Sequence, residues 1–145
     1  MRVVVLIVLA GVVCCGCFQR APEHMPGPVT GAEPANMLDI VNFEPAIPAT
    51  LHPGDRLHVI VHYRMHTVDG VRIFVRPYTH GEKTPGYKAH GSGVYGPGEG
   101  EIVGWFTFDK PTKVHEVRVQ MVKAADPDHV LVEIGLPIEA QWVNP

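Results

Sequence analysis

Cysteine is scarce in this sequence and is confined to its beginning. The three cysteines are Cys14, Cys15 and Cys17, and no cysteine follows them. The body of the chain therefore cannot form an internal disulfide bond, although small domains in oxidising compartments often depend on such bonds. Its stability has to come from an apolar core.

The chain also lacks a large net charge. The chain has 12 Lys and Arg residues and 15 Asp and Glu residues, which gives a formal net charge of −3. Proteins that bind nucleic acid usually carry clustered basic residues, and no such cluster occurs, so we predict no nucleic-acid partner. Hydrophobic residues make up 46% of the chain and charged residues 19%, which is typical of a globular domain.

Motifs for catalysis and cofactor binding are absent as well. The sequence has no Gly-x-Ser-x-Gly motif, no Gly-rich phosphate loop before a helix, and no Cys-x-x-Cys pair after Cys17. Ser92, His90 and Asp109 are residue types of a catalytic triad, but their spacing matches no known motif. We therefore predict no catalytic residue, no cofactor and no enzymatic activity. A small hydrolase is the less favoured alternative.

The long apolar run in the sequence lies at its beginning. Val3–Val13 follows Arg2 and contains 11 residues, whereas a helix that spans a bilayer needs about 20. A positive residue before a short apolar run is typical of a signal peptide. Gly16-Cys17 then resembles the lipobox of bacterial lipoproteins, although cysteines occupy the two preceding positions, where the family has Leu and Ala or Ser. The resemblance implies cleavage before Cys17 and acylation of Cys17; an uncleaved anchor and ordinary secretion are the alternatives.

This resemblance predicts three segments in the chain. Residues 1–16 form a signal peptide, residues 17–36 a Pro- and Gly-rich tether, and residues 37–145 the folded domain. A Pro-rich chain extends by about 3 Å per residue, so the tether could hold the domain up to about 60 Å from a membrane. We expect the protein in the cell envelope, anchored by its lipid and facing the periplasm or the exterior.

Apolar and polar residues alternate through the folded domain, as they do in half-buried β-strands. The clearest stretch is Asp55–His66, in which Leu57, Val59, Val61, Tyr63 and Met65 share one face. Val71–Arg76 alternates again after a short connection, so we predict that these two strands form a hairpin. The remaining predicted strands are Met37–Phe43, a short irregular strand near Tyr87–His90 or Val94, Glu101–Phe108, Val114–Val122 and His129–Val143.

Three residues in these strands carry specific expectations. The alternation places His115 on the apolar face together with Val117. Trp105 is predicted to lie in the core. Pro137 cannot donate a backbone hydrogen bond, so it should mark either a bend or an edge in the last strand.

About seven strands separated by frequent turns indicate an all-β, antiparallel β-sandwich. The spacing of the strands over 38–143 resembles the immunoglobulin-like modules of bacterial cell surfaces, including fibronectin type III domains. The Cys…Trp…Cys spacing of true immunoglobulin domains is absent. The resemblance therefore implies a fold and no particular binding residues; a small open barrel is the structural alternative.

Nine histidines raise the question of a metal site. His58, His62 and His66 share one face of the predicted central strand, but residues four apart on a strand are separated by about 13 Å. Metal ligands lie about 2 Å from the ion, so neighbours in this row cannot share one, and we predict no metal site. In the alternative, His80 or His90 joins one of them in a periplasmic metal-handling protein.

The segment from Pro77 to Gly100 is longer than a simple connection and contains seven glycines. Long ordered loops on a rigid sandwich often carry recognition residues. We predict that a protein or glycan ligand contacts this segment through five residues, Tyr78, His80, Tyr87, His90 and Tyr95. In the alternative interpretation, the tyrosines only fix the loop to the sandwich. The sequence thus predicts a lipid-anchored binding or structural module with an unknown ligand.

The predicted processing of Cys17 can be tested by mass spectrometry. Intact protein extracted from membranes should lack residues 1–16 and carry additional mass from acyl chains on Cys17. A chain that still begins at Met1, or a soluble form that begins after Cys17, would contradict the lipoprotein prediction.

Overall fold

A computed structural model of the chain describes residues 36–66 and 69–145. The predicted signal peptide, Cys17 and nearly all of the tether lie outside this part. Nine strands form within it, and none of its residues forms a helix that is long and apolar enough to cross a membrane. The strands are β1 (Met37–Glu44), β2 (Ala49–Leu51), β3 (Leu57–Met65), β4 (Val71–Thr79), β5 (Glu82–Lys83), β6 (Tyr87–Ala89), β7 (Gly98–Phe108), β8 (Thr112–Lys123) and β9 (Asp126–Trp142).

Two sheets form a sandwich with immunoglobulin-like order. One has four strands in the order β1-β3-β7-β6, and the other has five in the order β2-β9-β8-β4-β5. If the short strands β2 and β5 are left out, the four-stranded sheet has the A-B-E-D order of immunoglobulin domains, and the other sheet has their C-F-G strands. Strand β2 runs parallel to β9, and the other pairs of strands in the described residues are antiparallel. The predicted β-sandwich is thereby confirmed.

The inner faces of the two sheets supply the core. Every second residue of the central strands β3 and β4 points inward, because side chains alternate between the two faces of a strand, and so do Val117, Val119 and Met121 in β8. In β3 this face includes Leu57, Val59 and Val61, which have no exposed surface. The other fully buried large side chains are Met65, Val71, Phe106, Phe108, Val114, Val117, Val119, Met121 and Trp142.

Three aromatic side chains close one end of the core. The ring of Trp142 lies 4.8 Å from that of Phe108 and 5.8 Å from that of Phe106, measured between centroids. The indole N–H of Trp142 donates to the backbone oxygen of Asp55 at 2.9 Å, so its polar group is satisfied although the ring is buried. The hydroxyl of Thr107 donates to the same oxygen at 2.6 Å. The turn before β3 is therefore held directly against the aromatic cluster.

The two sheets approach each other closely at Gly104. A Cβ atom at this position would lie 2.4 Å from Cγ2 and 3.0 Å from Cβ of Val75 in the opposite sheet. A methyl group cannot be accommodated at such distances without displacing the backbone of one sheet, because interiors are close-packed. Glycine is needed here for space, since Gly104 is buried where Val75 crosses above it.

The predicted hairpin of the central strand with Val71–Arg76 is wrong. Strand β3 pairs with β1 and β7, whereas β4 pairs with β8 and β5 in the other sheet. The connection between β3 and β4 therefore leads from one sheet to the other. Both strands bury one apolar face, and in the sandwich these two faces oppose each other instead of lying side by side.

Residues 77–100 have more regular structure than their composition suggests. Strand β4 continues to Thr79, and β5 and β6 follow. The short strand predicted near Tyr87–His90 is β6, and Tyr95 adds an isolated bridge to Val71. The remaining irregular backbone lies mostly within 90–97.

Two side chains lie on the opposite face from the one predicted. A register irregularity between Val114 and Glu116 interrupts the alternation of β8, so His115 is exposed while Val114 and Val117 are both buried. Trp105 is half-buried on the outer face of β7, because the neighbouring residues Gly104 and Phe106 point inward. Pro137 lies within β9, which runs on to Trp142, at a position that pairs with β8 on one side and is not reached by β2 on the other, so it occupies an edge as predicted.

A pair of substitutions on β3 tests the assignment of the two faces. Val61→Asp places a carboxylate in the core without a partner and should cost several kcal/mol, a large part of the roughly 5–15 kcal/mol that holds a domain folded. Ile60→Asp changes the adjacent, half-buried residue on the outer face and should cost much less. Urea denaturation measures both, and equal losses would contradict the assignment.

Candidate functional site

The outer face of the four-stranded sheet carries apolar residues at its centre. Strands β3 and β7 lie in the middle of this sheet, with β1 and β6 at its edges. Their register places Ile60 opposite Val103 and His58 opposite Trp105. Sandwich sheets usually present polar side chains on this face, so two neighbouring apolar positions on the central strands need an explanation.

Trp105 is surrounded by cationic and imidazole groups. The Arg56 guanidinium lies 3.9 Å from the centroid of the indole ring, which is a cation–π contact. The ring of His90 lies 6.2 Å away, and the backbone N–H of His90 donates to the oxygen of Trp105 at 3.0 Å. The indole is thus fixed in position while part of it stays accessible.

Charged and polar residues border this apolar centre. His62 lies opposite Glu101 and Asp39, and Arg64 lies opposite Glu99, to which it donates a hydrogen bond at 3.0 Å. Val103 is 50% exposed. We refer to the surface formed by His58, Ile60, His62, Val103 and Trp105 as the Trp105 face.

The five predicted ligand-binding residues do not form one cluster. Tyr78 lies on the outer face of the five-stranded sheet, where it is buried beneath the Arg118 guanidinium, 4.1 Å from its ring. Tyr87 lies opposite Phe108, and Tyr95 packs 5.3 Å from the ring of Tyr63. Tyr87 and Tyr95 also pack against the core. This geometry favours the interpretation in which the tyrosines fix the segment to the sandwich.

The two predicted histidines of this segment lie in different surroundings. His90 lies beside Trp105, whereas the ring of His80 meets that of His115 edge-on at 4.8 Å. His115 also borders a shallow depression of about 300 Å³, together with Lys113 and Glu139. No group of three or more His, Cys, Asp or Glu side chains in the described part of the chain is placed to hold a metal ion.

The outer face of the five-stranded sheet carries a different network, centred on Arg118. Its guanidinium donates to Glu116 at 2.8 Å and lies 3.9 Å from Glu133. The hydrogen bond to Glu116, supported by the charges of Glu116 and Glu133, raises the pKa of Arg118 above its ordinary value. Here each charged group has a partner within the sheet, which suits a role in strand pairing.

Comparisons with known proteins add no information about function. No protein-family model matches the sequence, and no curated protein does so either. One similar solved structure is that of a C. elegans MSP family member, with 12% sequence identity and a TM-score of 0.34. The likeness covers 74% of this chain and 99% of that protein.

The Trp105 face was not predicted from the sequence, although one signal for it exists. Strand β7 has apolar residues on both faces, since Val103 and Trp105 alternate with Ile102, Gly104 and Phe106. A strand with two apolar faces must lie between two layers or leave one face exposed. That pattern, rather than the tyrosines, marks this surface.

Replacing Tyr78, Tyr87 and Tyr95 together by Ser tests whether they fix the segment in place. Loss of three packed aromatic rings should lower the free energy of unfolding by several kcal/mol, and the melting temperature should fall sharply. Val94→Ser, at a residue that is 57% exposed in the same segment, is the control and should change little. A triple variant that melts within a few degrees of the parent would instead support the binding interpretation.

Proposed function

We propose that this protein is a lipid-anchored module of the cell envelope that binds a protein partner through the Trp105 face. The observation that carries the proposal is the half-exposed Val103 next to Trp105 on the central strands of the four-stranded sheet. The lipid anchor rests on the resemblance of Gly16-Cys17 to a lipobox.

The composition of the Trp105 face supports a protein ligand. Protein interfaces combine an apolar, aromatic centre with a polar rim, and Trp, Tyr and Arg dominate their binding energy. Val103 and Trp105 supply the centre, and the Arg64–Glu99 ion pair lies in the rim. Arg56 adds a second residue type that is frequent at such centres.

A glycan is less compatible with the same surface. Sugars bind aromatic residues through an open ring face, but the Arg56 guanidinium already covers one face of the Trp105 indole at 3.9 Å. A protein partner can use the arginine and the indole together, since a stacked guanidinium keeps hydrogen-bond donors free at its edge.

In-cell photo-crosslinking tests the proposed surface. A photoreactive amino acid in place of Val103 should capture one envelope protein of defined mass, which mass spectrometry would identify. The same amino acid in place of Gln120, on the outer face of the other sheet, should not capture it. Equal capture at both positions, or none at Val103, would count against the proposal.

Two valine substitutions then separate this surface from the 77–100 segment. Val103→Asp should weaken binding of the captured protein about tenfold or more, because it places a charge in the apolar centre. Val94→Asp changes a valine of similar exposure within 77–100 and should leave binding intact. The reverse result would move the interface to the segment that the sequence first indicated. Both variants must melt at the temperature of the parent protein, so that a loss of binding cannot be attributed to unfolding.

A further inference from the structure

The Arg56 guanidinium is a cation whose hydrogen-bond donors are unused. It lies 3.9 Å from the centroid of the Trp105 ring, and no carboxylate within 36–66 or 69–145 forms an ion pair or hydrogen bond with it. The residue is exposed. A guanidinium has five N–H donors, and stacking on a ring engages its face and leaves these donors free at its edge.

The charged side chains near Arg56 are already engaged elsewhere. Asp55 accepts a hydrogen bond from the backbone N–H of His52 at 2.9 Å and lies 3.6 Å from the imidazole of the same residue. On the other side of Trp105, the ammonium of Lys88 lies 2.6 Å from a carboxylate oxygen of Asp109. The charge of Arg56 therefore stays unbalanced next to groups that balance one another.

This charge lies at the border of the apolar centre of the Trp105 face. Arg56 directly precedes β3, in which His58 lies opposite Trp105 and Ile60 lies opposite Val103. An arginine beside an aromatic residue is the combination that dominates binding energy in protein interfaces, where the partner shields it from water. In such a shielded position an arginine forms its strongest contacts with a carboxylate, because two parallel charged hydrogen bonds are made at once.

Arg76 provides an internal comparison. Its guanidinium lies 5.0 Å from the ring of Phe74 on the outer face of the other sheet, and it too has no ion pair among the described residues. The residue opposite it in β8 is Arg118, however, rather than an apolar side chain. An unpaired arginine on an aromatic ring thus occurs twice in this part of the chain, but only Arg56 adjoins an exposed apolar centre.

We infer that Arg56 binds the carboxylate of an Asp or Glu side chain of the protein partner. This inference rests on the proposed function, because it requires a protein on the Trp105 face. The partner's carboxylate accepts two hydrogen bonds from the edge of the guanidinium, whose planar fork matches its geometry. Apolar groups next to that carboxylate then cover Val103 and the accessible part of Trp105.

A phosphate group is less compatible with this position. It carries nearly two negative charges, whereas Arg56 supplies one positive charge. Asp39, Glu44 and Glu101 lie on the same outer face, opposite His62, His58 and His62 respectively, and would repel the excess negative charge. A single carboxylate neutralises Arg56 without leaving such an excess.

Photo-crosslinking in cells tests the role of Arg56, with a photoreactive residue at position 103 of the full chain as the probe. Arg56→Gln removes the charge and the fork and should lower the yield of the crosslinked partner about tenfold or more. Arg56→Lys keeps the charge but loses the fork, so its yield should be intermediate. Arg76→Gln is the matched control, because it removes the same charge from the other unpaired arginine, and it should leave the yield unchanged.

A charge exchange separates binding of a carboxylate from positioning of the indole. Arg56→Glu should abolish capture, and replacing the contacting Asp or Glu of the identified partner by Arg should restore it. Arg56 acting only on Trp105 would not give this rescue. Acrylamide quenching of fluorescence follows the indole separately, because Trp142, the second tryptophan of the chain, is only 1% exposed.

The outcomes distinguish this inference from the proposed function. Equal capture by the parent and by Arg56→Gln would overturn the inference and leave the proposed function in place. Loss of capture in both Arg56→Gln and Arg76→Gln, or loss that no charge exchange restores, would also overturn it. Absence of capture by the parent chain would overturn both. Loss in Arg56→Gln alone, with rescue by the exchange, is the result we expect.

Discussion

Packing between the two inner faces is the interaction on which the rest of the structure depends. The described residues contain no cysteine, so no disulfide bond joins the two sheets, which are held together by non-covalent packing and by the connections of the chain. Gly104 and Val75 set the distance between the sheets, and the Trp142 cluster closes one end. The backbone oxygen of Asp55 accepts hydrogen bonds from Trp142 and Thr107, which ties the chain entering β3 to the same core.

The alternation of residues allowed the strands and the fold class to be predicted, but not how the strands pair. It indicates that Val59 and Ile73 each lie on a buried face, and both side chains are buried in the structure. It does not show whether two such faces are side by side in one sheet or opposed across the core. The short connection between β3 and β4 is compatible with both arrangements. The irregularity after Val114 could not be foreseen either, because a register shift leaves no clear residue signature.

The candidate surface illustrates a similar limit. Tyrosines in a Gly-rich segment suggest recognition, yet Tyr78 is buried and Tyr95 packs against Tyr63. Trp105 was expected in the core because large aromatic residues are usually well buried. It lies on the outer face of the sheet instead, because its neighbours Gly104 and Phe106 point inward. The sequence shows which residues of a strand share a face, but not which of the two faces points inward. Both faces of β7 carry apolar residues, so its buried face could not be chosen from the sequence.

The parallel pairing of β2 with β9 has a mechanical consequence. Tension that reaches β2 from the chain before Ala49 and β9 from Val143 would draw the two strands in opposite directions along their own axes. The hydrogen bonds that join Ala49–Leu51 to Ala140–Trp142 would then be loaded in shear, all at the same time, instead of opening one after another. A sandwich tethered at one end and held by a partner at the other would resist stretching at the β2–β9 pair. Single-molecule pulling can measure the force at which this pair separates.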